Sequence, residues 1–279
     1  MAGTLLPYFI PFGVALAAAG ALRLVAGPDK GARYAGISVV IGFAAAWNWL
    51  LLAPWVPFDA LSRVIHIAIG GSIAGLALDL VTLRRSWAIV IVAAVFVLGC
   101  VWATISGALI GAPPDDTAGW LRFGLYLFVW LGLLARLDVL KREGPAALVT
   151  VFMLAIGLGL VAQMSGEGAV GAAAYALAAA FAGLLALSWI LSLAVGNGIV
   201  LGGGGAVLGL AMALAEPGSK ASVIALIFLL LVPFADGTAK RLPLGPAAVR
   251  SALYPLALIG VSALPVSLAG VIAFLLAGP

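Results

Sequence analysis

The chain has 279 residues, of which 65% are hydrophobic and 9% are charged, and its formal net charge is +4. Soluble domains carry about 25% charged residues, so this composition excludes a soluble protein and predicts an integral membrane protein. The single cysteine and single histidine exclude an internal disulfide and a histidine-rich metal site, and we expect no nucleic-acid partner.

Ten apolar segments follow one another along the chain. A helical span needs about 20 apolar residues, and these runs lack the alternation of barrel strands. The predicted spans cover roughly 4–26, 35–57, 60–82, 87–111, 118–140, 145–164, 168–195, 199–215, 220–236 and 251–277. The seventh and eighth are separated only by a short break at 195–199. The sequence therefore predicts one all-α transmembrane domain over residues 1–279.

The basic residues fall mostly on one side of these predicted spans. If the N-terminus faces away from the cytoplasm, 11 of the 14 lie at cytoplasmic ends: Arg23, Lys30, Arg33, Arg84, Arg85, Arg136, Lys141, Arg142, Lys240, Arg241 and Arg250. This bias follows the positive-inside rule. It predicts a polytopic membrane protein with about ten transmembrane helices and both termini non-cytoplasmic.

Several cytoplasmic ends carry short motifs in a fixed order. A basic loop at 27–36 follows the first span, and Gly-Leu-Ala-Leu-Asp-Leu at 75–80 closes the third. Residues 135–147 follow the fifth span, four glycines at 202–205 follow the seventh, and Pro-Phe-Ala-Asp-Gly-Thr at 233–238 closes the ninth. In order and spacing, and over nearly the whole chain, these motifs resemble those of the polyprenyl-phosphate N-acetylhexosamine-1-phosphate transferases.

The resemblance implies a fold of ten or eleven helical spans in the bacterial inner (cytoplasmic) membrane, with a magnesium-dependent site on the cytoplasmic face. This family includes the phospho-N-acetylmuramoyl-pentapeptide translocase and the undecaprenyl-phosphate GlcNAc-1-phosphate transferase. Its members are phosphotransferases that move a sugar phosphate from a UDP-sugar to a polyprenyl phosphate. The resemblance implies that Asp79, Asp138 and Asp236 stand at remnant catalytic positions.

The motifs depart from the family pattern at its catalytic residues. Leu78 replaces the first aspartate of the pair that ends in Asp79. Lys141, Gly144 and Gly203 stand where the family has three further aspartates, and residues 242–251 lack its histidines. The shared order of motifs argues for common ancestry, whereas these departures argue against retained chemistry.

Sugar-phosphate transfer needs carboxylates and a metal ion that neutralises phosphate charge, and Mg²⁺ takes hard oxygen ligands. Asp79, Asp138 and Asp236 are the candidate carboxylates. Lys141 and Arg142 oppose a divalent ion by about 1 to 4 kcal/mol for each close like-charge pair. We therefore expect no metal or other cofactor, whereas an active protein would use Mg²⁺ with Asp79 as its ligand.

These residues also have structural interpretations. Asp79 would pair with Arg84 or with a base from another loop. Asp138 with Arg142, and Asp236 with Lys240, have the i, i+4 spacing of helical ion pairs. His66 is interpreted as a neutral packing histidine rather than a proton relay.

Three hypotheses follow. The first is a degenerate transferase relative, a pseudoenzyme that scaffolds envelope-glycan assembly or binds polyprenyl phosphate through bases at the cytoplasmic face: Arg84, Arg85, Lys141, Arg142, Lys240 and Arg241. The second is an active, divergent glycosyl-1-phosphate transferase. The third is a small transporter or lipid-handling protein with His66 and Asp79 along its path. The expected partners are membrane lipids, with a second copy of the chain or another membrane protein as a further partner.

Overall fold

Every regular element that the structure describes is helical. The computed structural model describes residues 6–51, 55, 59–80, 86–109, 117–191, 195–216, 223–242 and 247–277. The helices are α1 Phe9–Tyr34, α2 Ile37–Ala46, α3 Ala60–Leu80, α4 Ser86–Leu109, α5 Thr117–Leu140, α6 Ala146–Met164, α7 Gly168–Leu191, α8 Gly204–Leu214, α9 Val223–Leu229, α10 Ala235–Ala239 and α11 Ala247–Ala277. Short 3₁₀ turns lie at Leu6–Tyr8 and Val232–Phe234, and π-helical turns at Trp47–Leu51 and Ile199–Gly203.

Among the residues that the structure describes, six helices are long and apolar enough to cross a membrane. They are Phe9–Gly27 within α1, α3, α5, α6, α7 and Leu253–Ala277 within α11. Four shorter apolar helices are Ile37–Trp49, Ile91–Ala103, Ile199–Leu214 and Val223–Ala239. An apolar helix therefore overlaps each of the ten predicted segments. Over the described part of the chain, the architecture is that of an all-α membrane protein, as predicted.

Helices α6 and α7 form the centre of the bundle. Nearly every residue of their middle turns is buried, so apolar residues surround both helices without a polar face. Small residues let them approach closely: a Cβ on Gly159 would lie 2.7 Å from Cε1 of Tyr175. Helices α1 and α2 pack against α7, and α11 packs against α6.

The predicted ninth span is interrupted rather than continuous. Helix α9 ends at Leu229, and the chain continues through the 3₁₀ turn Val232–Phe234 into the five-residue α10. Pro233 lies in this turn, and it has no N–H to continue an α-helical ladder. The interruption sets Asp236 near the start of α10, where it is almost fully buried.

The predicted break between the seventh and eighth spans is a packed segment that lies against α3. Glycines make the contact possible on both sides. A Cβ on Gly71 would lie 2.3 Å from the carbonyl oxygen of Leu201, and one on Gly75 would lie 2.6 Å from that of Asn197. The small-residue pair Gly71 and Gly75 therefore serves packing within the chain.

The chain also reverses sharply inside α1. Gly27 has φ +83°, a left-handed conformation that glycine adopts at little cost. The next turn folds back, since a Cβ on Gly31 would lie 2.6 Å from Cα of Arg23. Arg23 then donates a 2.8 Å hydrogen bond to the carbonyl of Leu191, the last residue of α7. This bond satisfies one of the carbonyls that a helix end leaves without an intrahelical partner.

Candidate functional site

The candidate site lies where α3 ends against the 195–203 segment. Ser72, Gly75 and Asp79 are spaced by three and four residues, so they share one face of α3. That face is turned to the segment, because a Cβ on Gly202 would lie 2.0 Å from Oγ of Ser72. A Cβ on Gly196 would lie 2.5 Å from Oδ2 of Asp79. Only residues without side chains at these glycine positions allow the approach.

Asp79 caps the helical turn that begins at Asn197. The backbone N–H of Asn197 donates to Oδ2 of Asp79 at 2.9 Å, and its side-chain amide donates to Oδ1 at 2.7 Å. The first N–H groups of a helix have no intrahelical partner, and the helix dipole makes this end partly positive. A carboxylate from another helix satisfies both needs. This arrangement gives Asp79 a structural role at the end of α3.

Lys141 connects Asn197 to Asp138. Its Nζ donates to Oδ1 of Asn197 at 2.5 Å and forms a salt bridge with Oδ1 of Asp138. Arg142 reaches the other oxygen of the same carboxylate, with 3.6 Å between its Nη2 and Oδ2 of Asp138. A chain of contacts therefore runs from Asp79 through Asn197 and Lys141 to Asp138.

The loop after α5 brings Lys141 into this position. Helix α5 ends at Leu140, and the turn that follows contains Gly144 with φ +70°. Pro145 comes next and precedes the first residue of α6, where a missing N–H costs nothing. The Lys141 side chain is 17% exposed, so its ammonium group lies inside the cluster. The Lys141 ammonium group thus links Asp138 to Asn197, the partner of Asp79.

Asp236 belongs to a second network and is separate from the first. Its carboxylate pairs with Arg136 through Oδ1 and with Lys240 through Oδ2, the latter at 3.2 Å. Arg136 also donates to the carbonyl of Pro233 at 3.1 Å and lies over the ring of Phe234. These contacts join α5 to the interrupted ninth segment.

Lys240 extends this second network to the loop after α5. Its Nζ lies 2.5 Å from Oε2 of Glu143 and 3.2 Å from Oδ2 of Asp236. The hydrogen bond to Glu143, followed by the one to Asp236, raises the pKa of Lys240. The loop therefore contributes Lys141 and Arg142 to one network and Glu143 to the other.

Two of the predicted ion pairs are present in the structure. Asp138 does pair with Arg142, and Asp236 with Lys240, as the helical spacing indicates. The partner of Asp79 among the described residues is Asn197 rather than a base. Arg84 lies outside the described residues. In the described part of the chain, no group of three or more histidine, cysteine or acidic side chains is arranged to hold a metal ion.

The six predicted phosphate-binding bases differ in their surroundings. Lys141 and Lys240 are held by acids within the protein. Arg142 has a 77% exposed side chain, and Arg241 is also exposed. Arg84 and Arg85 both lie outside the described residues. Arg142 and Arg241 are therefore the predicted bases that the structure leaves open to a headgroup.

His66 has no part in either network. It is the seventh residue of α3, in the second helical turn, rather than in the middle of a span. Its side chain is exposed, and Nδ1 lies 3.0 Å from the carbonyl oxygen of Ser62 one turn earlier. This contact is local to α3 and gives no link to Asp79.

A cavity of about 250 Å³ adjoins the first network. It lies between α3, α4, α5 and the 195–203 segment, and its walls are aliphatic except for Asp138 and Asn197. A second cavity of about 210 Å³, between α5, α6, α8 and α9, has almost entirely apolar walls. The first cavity therefore combines an apolar interior with a polar end.

Sequence reasoning missed two residues of these networks. Asn197 was noted only as part of a break, and Arg136 only as a cytoplasmic base. A polar amide between two glycines, within a long apolar stretch, is the signal that could have identified Asn197. Arg136 gives a weaker signal, since it lies 100 positions from Asp236 in the sequence.

Comparisons with known proteins do not identify the chain. No protein-family model matches it, and no curated protein sequence is significantly similar to it. The resemblance to the transferases therefore rests on the order of the sequence motifs alone.

Proposed function

We propose that the protein is a non-catalytic relative of the polyprenyl-phosphate N-acetylhexosamine-1-phosphate transferases that binds a polyprenyl phosphate in the membrane. The observation that carries the proposal is the position of Lys141. Its ammonium group bonds to Asp138 and to Asn197, the partner of Asp79. A fixed cation therefore lies among the groups from which a metal site would have to be built.

The charge balance of the two networks supports the absence of transferase chemistry. Four bases and four acids take part: Arg136, Lys141, Arg142, Lys240, Asp79, Asp138, Glu143 and Asp236. A divalent ion bound among them would add two charges to a neutral set. It would also have to displace Lys141 from Asp138, against the repulsion between like charges at short range. The bases of the protein thus balance the acidic charges that a metal ion would otherwise balance.

The exposed bases support binding of a phosphate headgroup. Arg142 and Arg241 are exposed at the end of the bundle that holds both networks, and Lys30 and Arg33 are exposed after the reversal at Gly27. Clustered bases next to a membrane attract anionic headgroups with about 1 kcal/mol each. An apolar cavity next to Asp138 offers space for a lipid chain.

The proposal includes an arrangement in the membrane. We infer ten spans, two termini on the non-cytoplasmic side and insertion into a bacterial inner membrane. Contacts support alternating helix directions. At one end, Arg23 contacts Leu191, Asp79 and Lys141 both contact Asn197, and Lys240 contacts Glu143. Glu216 and Arg63 meet at the other end, 4.0 Å apart. A reporter that is active only in the cytoplasm, fused to the C-terminus, is expected to be inactive.

Two measurements on the purified protein test the function. With a panel of UDP-sugars, undecaprenyl phosphate and Mg²⁺, we expect no release of UMP. In nanodiscs, undecaprenyl phosphate is expected to bind, and the double reversal Arg142→Glu, Arg241→Glu is expected to weaken binding several-fold. Arg122→Glu is the matched control, because Arg122 is an exposed base at the start of α5, distant from both networks. UMP release would show an active enzyme, and an absence of lipid binding would remove the binding role.

A further inference from the structure

The cavity of about 210 Å³ between α5, α6, α8 and α9 lies in the half of the bundle away from the two networks. Its lining on α5 runs from Leu125 to Leu133, which is about 12 Å at 1.5 Å per residue. An apolar cavity of about 150 Å³ holds one benzene ring, so by proportion this cavity holds about eight carbon atoms. Spread over that length, the space suits one slender chain rather than two chains or a wide ring system.

This cavity opens sideways between α5 and α9, on an apolar surface of the bundle. Leu125, Val223 and Ile227 line its mouth and are more than half exposed. Leu158 and Leu208 form its floor and are almost fully buried. Among the described residues, no charged side chain belongs to the lining. An occupant therefore enters from the membrane and is apolar over the length inside the bundle.

One hydrogen-bond donor at the end of the cavity is only weakly engaged. The hydroxyl of Tyr126 donates to the carbonyl of Ala215 over 3.3 Å, whereas bonds of this kind are commonly about 2.7–2.8 Å long. Deeper in the cavity, the indole N–H of Trp130 donates to Sδ of Met212 at 2.9 Å, so the indole ring presents an apolar wall. The cavity therefore offers the Tyr126 hydroxyl to an acceptor on an otherwise apolar molecule.

An acid and a base lie just beyond this end of the cavity. Glu216 follows Ala215 directly, and its Oε1 lies 4.0 Å from Nη1 of Arg63. That separation is at the long limit for an ion pair, and both side chains are partly exposed. One charge of each sign at the end of an apolar cavity matches a zwitterionic headgroup, whose phosphate contacts Arg63 and whose ammonium group contacts Glu216.

We infer that this cavity holds one acyl chain of a zwitterionic glycerophospholipid, such as phosphatidylethanolamine, from the surrounding leaflet. The ester carbonyl of that chain accepts the hydrogen bond from the hydroxyl of Tyr126, and the second chain stays at the membrane-facing surface. The inference is independent of the proposed function, because this lipid lies at the opposite end of the bundle from the two networks. It also differs in chemistry, since a polyprenyl phosphate has no ester carbonyl.

The role of the ester carbonyl is tested with two lipids that differ only in that group. Native mass spectrometry of the detergent-solubilised chain compares dioleoyl phosphatidylethanolamine with its diether analogue, which lacks ester carbonyls. We expect the diether to bind about three- to tenfold more weakly, the range for one hydrogen bond. Tyr126→Phe keeps the ring and removes the hydroxyl, so it should bind both lipids equally. Equal binding of the two lipids to the unsubstituted chain would overturn the contact with Tyr126.

Filling the cavity tests the position of the chain. Ala211 lines this cavity, Ala93 lines the cavity beside the first network, and both alanines are half-buried within helices. Ala211→Phe should weaken phosphatidylethanolamine binding at least about tenfold, whereas Ala93→Phe, which adds the same volume, should leave it unchanged. Equal effects of the two substitutions would overturn the assignment to this cavity. Tyr126→Phe adds no atoms, so it keeps the test decisive if Ala211→Phe does not fold.

Three further measurements on the unsubstituted chain complete the test. Phosphatidylethanolamine with a photoreactive acyl chain should label peptides of α5, α8 or α9, and labelling confined to α4 would overturn the assignment. Phosphatidylglycerol, which has an anionic headgroup, should bind more weakly, and equal binding would overturn the headgroup contacts with Arg63 and Glu216. Excess undecaprenyl phosphate should not displace phosphatidylethanolamine. Displacement would show that the two lipids share one site, which would overturn this inference and keep the proposed function.

Discussion

Asp79 and Asn197, 118 positions apart in the sequence, are joined by two hydrogen bonds in which the carboxylate accepts both the backbone and the side-chain N–H of the asparagine. An acid at the end of a membrane helix is costly unless its charge is compensated. Here the compensation comes from the N-terminus of a helical turn and its dipole. The acid that first suggests catalysis therefore also holds the 195–203 segment against α3.

Removing this carboxylate should destabilise the protein. Asp79→Ala leaves the N–H groups of Asn197 without an acceptor, and losing a helix cap costs about 0.5–2 kcal/mol. Asp79→Asn keeps one acceptor oxygen but no charge, so we expect a smaller loss. Reversible unfolding in mixed detergent micelles measures both. A free energy of unfolding for Asp79→Ala equal to that of the unsubstituted chain would contradict the cap.

The close packing of the same two elements predicts a strong effect at Gly75. A Cβ there would lie 2.6 Å from backbone atoms of Asn197 and Gly198, which cannot move away as a flexible side chain could. Overpacking of this kind costs about 1–3 kcal/mol, so Gly75→Ala should lower the free energy of unfolding by that amount. Gly132→Ala on α5 is the control, because nothing lies within 4 Å of the added Cβ. Equal effects of the two substitutions would show that the contact is looser than described.

The helices could be predicted from the sequence because long apolar runs have few alternatives in a membrane. Local ion pairs could also be predicted, since Asp138 and Arg142 are adjacent on any α-helix. The pairing of Asp79 with Asn197 could not, because it depends on how an interrupted helix packs on α3. Residue spacing also gave no indication that Lys141 would turn inward. Both features depend on long-range packing, which periodicity does not contain.

The ninth segment shows a further limit of sequence patterns. Its hydropathy predicts one span, yet the 3₁₀ turn around Pro233 divides it and directs Asp236 to Arg136. Pro233 lies inside this predicted span, three residues before its end. The cost of the lost helical hydrogen bond is offset by contacts that the turn allows, among them the bond from Arg136 to the carbonyl of Pro233.

The pair of Arg136 and Asp236 should be sensitive to the loss of one partner. Asp236 is 3% exposed, and removing one member of a buried pair costs about 3–5 kcal/mol because the other charge stays uncompensated. Arg136→Met should therefore destabilise the protein strongly, although Lys240 keeps part of the compensation. The double variant Arg136→Met, Asp236→Leu should recover most of the loss.

A double-mutant cycle of unfolding free energies in micelles measures this coupling. Lys240→Met is the control, since its side chain is 45% exposed and exposed pairs contribute about 0–1 kcal/mol. Additive effects of Arg136→Met and Asp236→Leu would contradict a direct pair. If Lys240→Met lowers the free energy of unfolding as much as Arg136→Met does, then Lys240 rather than Arg136 is the main partner of Asp236.

Asp59 and Glu216 lie at the end of the bundle opposite to the two networks. The charged forms of these two acids should contribute to the free energy of unfolding with opposite signs. Asp59 lies at the start of α3, where its Oδ1 accepts the N–H of Ser62 at 2.9 Å and Ser62 Oγ accepts the N–H of Asp59. The hydrogen bonds from Ser62 lower the pKa of Asp59 below its usual value of 3.8. Burial raises the pKa of Glu216 above 4.5, with Arg63 offsetting part of the effect.

The signs follow from proton linkage. A lowered pKa means that Asp59 stabilises the fold above pH 3.8 and that this stability is lost as the pH falls through the folded-state pKa. A raised pKa means that Glu216 favours the fold below pH 4.5 and that this contribution is lost as the pH rises through its folded-state value.

Asp59→Asn, which keeps a good N-cap, should be less stable than the unsubstituted chain near neutral pH, with a difference that shrinks in acid. Glu216→Gln should be more stable near neutral pH, and its advantage should also disappear in acid. Unfolding free energies across the acid range measure both, and the same sign for the two variants at neutral pH would contradict one of the two environments.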